Sequence, residues 1–253
     1  MHTESVAVFD AHAHDHAQAR AELACAFRWT ARLGMHEAIA NHFSLAVSDD
    51  GRRFLINPYG RHFSRVRASD LLLLDADDPS ALERPDAPDI TAWALHGALH
   101  RRHRHARCIL HVHSKYATAL ACLADSRLPP IEQNAMRFFE RVAIDEGFDG
   151  MGLGDEAERV SRQLGDKPIL LMGNHGVLVA APSVAQAFDD LYYFERACEI
   201  YLTALSSGRP LRIASDEVAR KTCRQWLDYP DFAVRHFAAL QAILDEEEPD
   251  YRA

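Results

Sequence analysis

The stretch Cys108-Ile109-Leu110-His111-Val112-His113 places two histidines two residues apart at the end of an apolar run. Such a run predicts a buried β-strand, in which residues two apart point to the same face. His111 and His113 therefore present both imidazole rings to one point in space. Neutral imidazole is a common ligand of zinc, iron, manganese and cobalt, and a buried histidine pair without a cation or an acceptor is costly. We expect this pair to hold a divalent metal ion.

A third histidine follows further along the chain in Gly173-Asn174-His175-Gly176. Apolar runs at 168–172 and 177–180 flank this segment and predict strand, turn, strand. The glycines allow a sharp turn that can direct the ring toward a neighbouring strand end. Three protein ligands leave positions open for water or substrate, as in catalytic metal sites. The sequence thus predicts a metal site at His111, His113 and His175, with zinc most expected and manganese or iron also compatible.

Helical and strand patterns alternate over the rest of the chain, without repeats or low-complexity segments. This alternation predicts an α/β fold with a sheet covered by helices. We expect a flexible N-terminal segment at 1–16, whose histidine-rich stretch 10–16 precedes any periodic pattern, and one domain over 17–253. The predicted elements are a helix at 17–33, a hairpin from 43–47 and 54–56, a strand at 71–74, helices at 89–102, after Pro130 and at 183–205, and two helical stretches between 215 and 247 separated by Pro230.

The composition excludes several classes of partner. The formal charge of −9 over 253 residues argues against nucleic acid or an anionic membrane surface. The basic string at 100–105 is expected to form a solvated helix end. Five widely spaced cysteines without a C-x-x-C pair suggest neither a disulfide framework nor a thiolate zinc site. No apolar stretch reaches the roughly 18 residues of a membrane span, and no signal-peptide pattern opens the chain, so we expect a cytoplasmic protein.

Several short motifs occur in the order found in one known family. The chain resembles the class II aldolase and adducin family over residues 20–205, and the combination of motifs is specific although each alone is weak. The matching segments are Asn41-His42-Phe43-Ser44, Phe54-Leu-Ile-Asn-Pro-Tyr-Gly60, Leu95-His96, His111-Val-His113-Ser114 continuing to Ala119, and Gly173-Asn-His-Gly176.

This resemblance implies a three-layer αβα fold with a mostly antiparallel central sheet. It also implies a divalent metal on the three histidines and a homo-oligomer, often a tetramer, with active sites near subunit interfaces. Family aldolases cleave a carbon–carbon bond next to a carbonyl and use a glutamate shortly before the His-x-His pair as acid/base.

The sequence departs from the sugar-phosphate aldolases of that family at the helix that ends in Leu95-His96. Ala92 stands where the catalytic glutamate is expected, and Ile90 replaces a phosphate contact. Tyr59 replaces a small residue in the loop after the hairpin, so a phosphorylated substrate is disfavoured. The Asn-His-x-Ser pattern, with His42 in place of asparagine, resembles the adducin-like bacterial branch.

Two histidines are therefore candidate catalytic residues. His42 is a replacement acid/base or a neighbour of the metal, and the alternative is a hydrogen-bonded structural histidine. His96 is a second candidate that alternatively caps its helix or supports the metal ligands. Candidate substrate contacts are Asn41 and Tyr59 from the matching motifs, and Gln133 and Arg137, which either bind a carboxylate or lie on a solvated face.

Three functions remain open on these grounds. The first is a metal-dependent lyase of aldolase type, acting on a small non-phosphorylated hydroxy- or keto-acid that chelates the metal. The second is an iron-dependent oxygenase or decarboxylase at the same three histidines. The third is a non-catalytic adducin-like binding module, although this chain has almost no room for the long basic tail of adducin.

Overall fold

The computed structural model describes residues 16–150, 155–229 and 231–253, and seven α-helices and seven strands lie within these ranges. The helices are α1 Ala17–Arg32, α2 Ile90–Arg102, α3 Lys115–Ala121, α4 Glu156–Leu164, α5 Val184–Ser206, α6 Asp216–Leu227 and α7 Asp231–Glu247. The strands are β1 His42–Ala46, β2 Arg53–Ile56, β3 Leu72–Asp75, β4 Cys108–Val112, β5 Val142–Asp145, β6 Ile169–Met172 and β7 Gly176–Ala181. Short 3₁₀ segments cover Phe63–Arg65, Ala68–Asp70, Pro79–Glu83, Ala135–Phe138 and Pro249–Arg252.

The seven strands form one sheet in the order β3-β2-β1-β4-β7-β6-β5. All neighbouring pairs are antiparallel except β5 with β6, which are parallel. The strand that carries the first histidine, β4, lies at the centre between β1 and β7. The expected mostly antiparallel central sheet is confirmed.

Alternate residues of the central strands enter two different cores, because successive side chains of a strand point to opposite faces. Leu110 and Val112 pack into the larger core with residues of α1, α3, α5 and α7. Ile109 packs into a second core with Leu99 of α2 and Val160 of α4. Helices therefore cover both faces of the sheet, and the three-layer αβα arrangement is confirmed.

The α2 side of the sheet holds the polar residues of interest. In the antiparallel register His42 of β1 lies opposite His111 of β4, and Ser44 lies opposite Ile109. These side chains share the face on which α2 packs. The helix begins after Asp89, whose carboxylate accepts hydrogen bonds from the N–H groups of Thr91 and Ala92, as an N-cap residue does.

One predicted segment was wrong in part. Helices were expected after Pro130, and α4 is one of them, but Val142–Asp145 forms the edge strand β5. This strand has four residues, is half-buried and pairs only with β6. It is too short to show the alternation that separates a strand from a helix turn.

The predicted flexible segment at 1–16 falls almost wholly on residues 1–15, outside the described residues; α1 begins at Ala17. The single domain over 17–253 stays a prediction. Among the described helices, none combines the length and apolarity that crossing a bilayer requires.

Candidate metal centre

A cavity of about 880 Å³ opens beside the end of β4. It is lined by the loop that follows α1, the start of α2, the His-x-His pair and the turn between β6 and β7. Its size is within the range of small-molecule sites. The sequence-predicted residues that line it are Asn41, His42, Tyr59, His111, His113 and His175.

The structure brings His111, His113 and His175 together, and we call them the three-histidine cluster. One ring nitrogen of each lies within 4.8 Å of the others, an arrangement that could hold a metal ion. His111 Nε2 and His113 Nε2 are 3.2 Å apart. Two nitrogens that bind one tetrahedral zinc, each about 2.0–2.1 Å from it, lie about 3.4 Å apart, so the observed spacing fits a shared cation.

The hydrogen-bond partners of Nδ1 in His111 and His113 determine which nitrogen of each ring carries the proton. His111 Nδ1 lies 3.1 Å from the Val177 carbonyl and His113 Nδ1 lies 2.7 Å from a Glu37 carboxylate oxygen. Both partners only accept hydrogen bonds, so each Nδ1 carries the hydrogen and donates. In the neutral rings the two Nε2 lone pairs then face each other. Such an arrangement repels unless a cation lies between the lone pairs, which is the donor set that a divalent metal requires.

Burial keeps His111 and His175 neutral and able to act as ligands. Desolvation holds the pKa of His111 well below its ordinary value and lowers that of His175 to about 4. The Nδ1 of His175 is buried without a hydrogen-bond partner among the described residues. A buried polar atom of this kind normally has a partner, and a bound cation or its water would supply one.

The turn that carries His175 is sharp for a reason that differs in part from the expected one. The positive φ of 57° belongs to Asn174, whereas the glycines on either side permit close approach. A Cβ on Gly173 would lie 3.0 Å from the Asp145 carbonyl oxygen. A Cβ on Gly176 would lie 2.6 Å from the Val112 carbonyl oxygen and 2.9 Å from the His113 ring. The turn therefore reaches the strand end only because position 176 has no side chain.

The carboxylate of a buried glutamate anchors the backbone just after His113. Glu195 of α5 accepts hydrogen bonds from the Ser114 hydroxyl at 2.6 Å and from the N–H groups of Tyr116 and Ala117. It thereby satisfies the free N–H groups at the start of α3. Glu195 was not predicted from the sequence, because its three partners lie about 80 positions away in the chain.

His42 and His96, the two candidate catalytic histidines, belong to a buried hydrogen-bonded chain. His42 Nδ1 lies 2.7 Å from His96 Nε2, and His96 Nδ1 contacts the Ser44 hydroxyl. Ser44 Oγ lies 2.7 Å from His100 Nε2, and His100 Nδ1 lies 2.6 Å from the Ala106 carbonyl. We call His42, His96, Ser44 and His100 the histidine–serine chain. His42 lines the cavity, and burial lowers its pKa to about 4.

The basic string at 100–105 is not solvated throughout. Arg101, Arg102 and Arg104 are exposed as expected, but His100 is only 3% exposed. The prediction was wrong for His100 because this position of α2 faces β1, where Ser44 offers it a partner. Because the residues that follow it are also basic, the sequence alone did not show that this position faces inward.

The other predicted substrate contacts divide into two groups. Asn41 is buried in the cavity wall, where its side-chain oxygen accepts a hydrogen bond from the Glu37 N–H at 2.7 Å, and Tyr59 is exposed at the rim. Gln133 is exposed, and neither it nor Arg137 lines the cavity. Arg137 is buried elsewhere, in an ion pair with Asp189.

Ala92 lies in the cavity wall, so the start of α2 contributes no carboxylate at that position. Glu37, which was not predicted from the sequence, supplies a carboxylate beside His113. The only local signal for it is its place in the loop shortly before Asn41 and His42. Asp89 is a second carboxylate of the wall, and its hydrogen bonds to the start of α2 hold its pKa below the ordinary value against the opposing effect of burial.

Comparison with known proteins agrees with this architecture. Residues 21–202 match the family described as class II aldolase and adducin N-terminal domain. The decarboxylase NovR of Streptomyces niveus is 30% identical over 239 residues, which cover 92% of this chain and 88% of that protein. A 4-hydroxy-3-prenylphenylpyruvate oxygenase/4-hydroxy-3-prenylbenzoate synthase of Streptomyces roseochromogenus is 28% identical, covering 86% of this chain and 79% of that protein.

Among solved structures, an aldolase II superfamily protein from Pseudomonas syringae superposes with a TM-score of 0.86 at 31% identity. The superposition covers 98% of this chain and all of that one (100%). The chain belongs to the class II aldolase and adducin family.

Proposed function

We propose that the chain is a metal-dependent lyase that cleaves a carbon–carbon bond of a small, non-phosphorylated hydroxy- or keto-acid. The observation that carries the proposal is the convergence of two fixed Nε2 lone pairs and the His175 ring at the cavity wall. His111, His113 and His175 would hold the ion, with zinc expected and manganese or iron compatible. When bound, the ion supplies Lewis-acid polarisation of substrate oxygens.

The missing glutamate at position 92 requires another acid/base. His42 is the proposed replacement, because its ring lines the cavity and lies beside His111, with ring centroids 4.9 Å apart. Glu37 orients the His113 ring through the Nδ1 hydrogen bond. A carboxylate partner of this kind raises the basicity of a ligand histidine.

The start of α2 disfavours a phosphorylated substrate. The N-terminus of a helix attracts phosphate through its free N–H groups. Here the N–H groups of Thr91 and Ala92 already donate to Asp89, at 2.8 and 3.2 Å. The Asp89 carboxylate also repels an approaching anion. A singly charged carboxylic acid that chelates the metal fits this cavity better than a sugar phosphate.

A second candidate function is an iron-dependent oxygenase or decarboxylase at the same histidines. The names of two relatives favour it, since one is a decarboxylase and the other an oxygenase/synthase. Both functions use the same three ligands and differ in the metal and in the need for oxygen.

We also propose a cytoplasmic homo-oligomer, as a tetramer, that acts on small molecules. Exposed apolar side chains on α6 and α7 support an interface there, namely Val218, Leu227 and Val234. All five cysteines are free, which fits a reducing compartment. Light scattering on the purified protein after size-exclusion chromatography would measure the subunit number. A monomeric mass would contradict this part of the proposal.

The test begins with metal analysis of the purified protein and continues with a screen of 2-hydroxy and 2-keto acids for cleavage products. His113→Ala should lose both metal and turnover. His103→Ala is the matched control, because its ring contacts the Ser161 carbonyl away from the cavity and both should persist. Oxygen uptake with ferrous iron would favour the second function. Retention of metal and activity by His113→Ala would reject both.

A further inference from the structure

The histidine–serine chain ends on a group that can only accept a hydrogen bond. His100 Nδ1 lies 2.6 Å from the Ala106 carbonyl oxygen, so this nitrogen must carry a hydrogen. His100 is fully enclosed, and burial together with the charge of Arg107 lowers its pKa to about 4. A neutral ring protonated on Nδ1 leaves Nε2 as an acceptor, which therefore takes the Ser44 hydroxyl proton across 2.7 Å.

The direction set at Ala106 propagates through the chain. Ser44 has one hydroxyl proton, which it gives to His100, so its oxygen accepts from His96 Nδ1. His96 Nε2 is then an acceptor for the Nδ1 hydrogen of His42 across 2.7 Å. His42 is left with an unprotonated Nε2. The whole chain is buried between β1 and α2, and each ring has its direction fixed by the next.

We propose that Ser44, His96 and His100 are positioning residues that hold His42 in the Nδ1-protonated tautomer, so that its Nε2 faces the cavity as a hydrogen-bond acceptor. Among the described residues this Nε2 has no protein hydrogen-bond partner. The ligand group that meets it must be a donor. A hydroxyl qualifies, whereas a keto or carboxylate oxygen does not.

This selects a substrate class within the proposed function, on which the selection rests. The cavity should prefer a 2-hydroxy acid to the matching 2-keto acid, because only the hydroxyl can donate to His42. The same tautomer is the one in which His42 takes a proton from a hydroxyl. An imidazole locked the other way would donate instead and would favour a carbonyl.

The tautomer can be read without any metal or turnover. In metal-free protein labelled with ¹⁵N-histidine, two-bond proton–nitrogen correlation spectra distinguish the two neutral forms of each ring. His42→Asn assigns the His42 signals by their loss. We expect His42 Nε2 to be unprotonated and Nδ1 to carry the hydrogen. A His42 ring protonated on Nε2 would overturn the inference, whatever the fate of the proposed function.

Ser44→Ala tests the relay itself, because it removes the link between His96 and His100. We expect the His42 signals to change to a mixture of both tautomers. His100→Gln keeps an acceptor for Ser44 and should retain the wild-type His42 signals. His103→Gln, outside the histidine–serine chain, is the control. If Ser44→Ala does not fold, His100→Leu removes the same acceptor. An unchanged His42 tautomer in folded Ser44→Ala, or in His100→Leu if that variant replaces it, would overturn the relay.

Ligand preference is measured separately with zinc-loaded protein and a matched pair, lactate and pyruvate, which differ only in the hydroxyl or keto oxygen. We expect about tenfold tighter binding of lactate, the scale of one hydrogen bond against an unpaired group, and loss of that preference in Ser44→Ala. Equal affinities in the wild type would overturn the selection. The expected tautomer without any metal binding would leave the relay standing and reject the proposed function.

Discussion

The three-histidine cluster and the histidine–serine chain lie on the same face of the sheet and meet where His42 pairs with His111 in the β1–β4 register. In the histidine–serine chain, the unprotonated nitrogens of His96 and His100 each accept a hydrogen bond, and only the His42 Nε2 lone pair is left without a donor. In the cluster, the outer nitrogens of His111 and His113 are bound to acceptors and their lone pairs converge. The acceptors around each ring, rather than burial or residue type, decide which group presents converging lone pairs to a cation.

The largest effect that separates the two groups is expected in metal affinity. His175→Ala removes one of the three proposed ligands. Loss of an outer partner alone typically costs 10–100-fold, so we expect zinc affinity to fall at least about 100-fold. Competition with a chromophoric chelator measures it. His100→Gln, in the chain, should bind zinc as the wild type does. Wild-type affinity in His175→Ala would show that the cluster is not the metal site.

The histidine–serine chain should instead affect how the free energy of unfolding changes at low pH. The pKa of His100 is lowered from 6.5 to about 4, so the folded state binds fewer protons than the unfolded state between these values. Stability therefore falls as the pH drops below 6.5, and the loss is complete near pH 4. His100→Gln should reduce the loss between pH 7 and pH 5 by about 2 kcal/mol in urea unfolding of metal-free protein. The same loss of stability in His100→Gln and in the wild type would contradict the burial of a neutral His100 ring.

A smaller effect is expected from the partner that orients the cluster. Glu37→Gln keeps an acceptor for His113 Nδ1 but removes the charge, so we expect about tenfold weaker zinc binding, at the lower end of the range for outer partners. The same competition assay measures it. Glu140→Gln is the control, since this exposed carboxylate pairs with Arg220. A larger loss in the control than in Glu37→Gln would argue against the orienting role.

The smallest effect comes from a buried acid outside both groups, and its sign is opposite. Burial raises the pKa of Asp190 from 3.8 to about 6, so the folded state binds more protons and is stabilised as the pH falls from 6 to 4. Asp190→Asn should remove this contribution and increase the loss between pH 7 and pH 5 by about 1 kcal/mol. An unchanged loss in the variant would mean that Asp190 is ionised at pH 5.

The part of the site that follows from local pattern could be predicted from the sequence. The two-residue spacing of His111 and His113 is a property of any strand, and the apolar run before them indicates burial. The turn around His175 was likewise marked by its glycines. The fold class followed from the motifs in their order, and the structure confirms it.

Contacts across elements could not be predicted in the same way. Glu37 meets His113 across 76 positions, and Ser44 meets His100 across 56, so neither pairing leaves a periodic trace. Arg137 was expected to contact substrate or solvent, but its place is set by Asp189 and by the rings of Tyr193 and Trp226. Polar residues at helical spacing do not show which of these environments they occupy.

Gly176 matters because it has no side chain. With the Val112 carbonyl oxygen 2.6 Å from where a methyl group would sit, even alanine would force the strands apart and move the His113 ring. The spacing of the histidine ring nitrogens is thus controlled by the distance between the strands. An engineer who wished to retune the geometry of the centre without touching a histidine would find the adjustment here, in the width of one missing side chain.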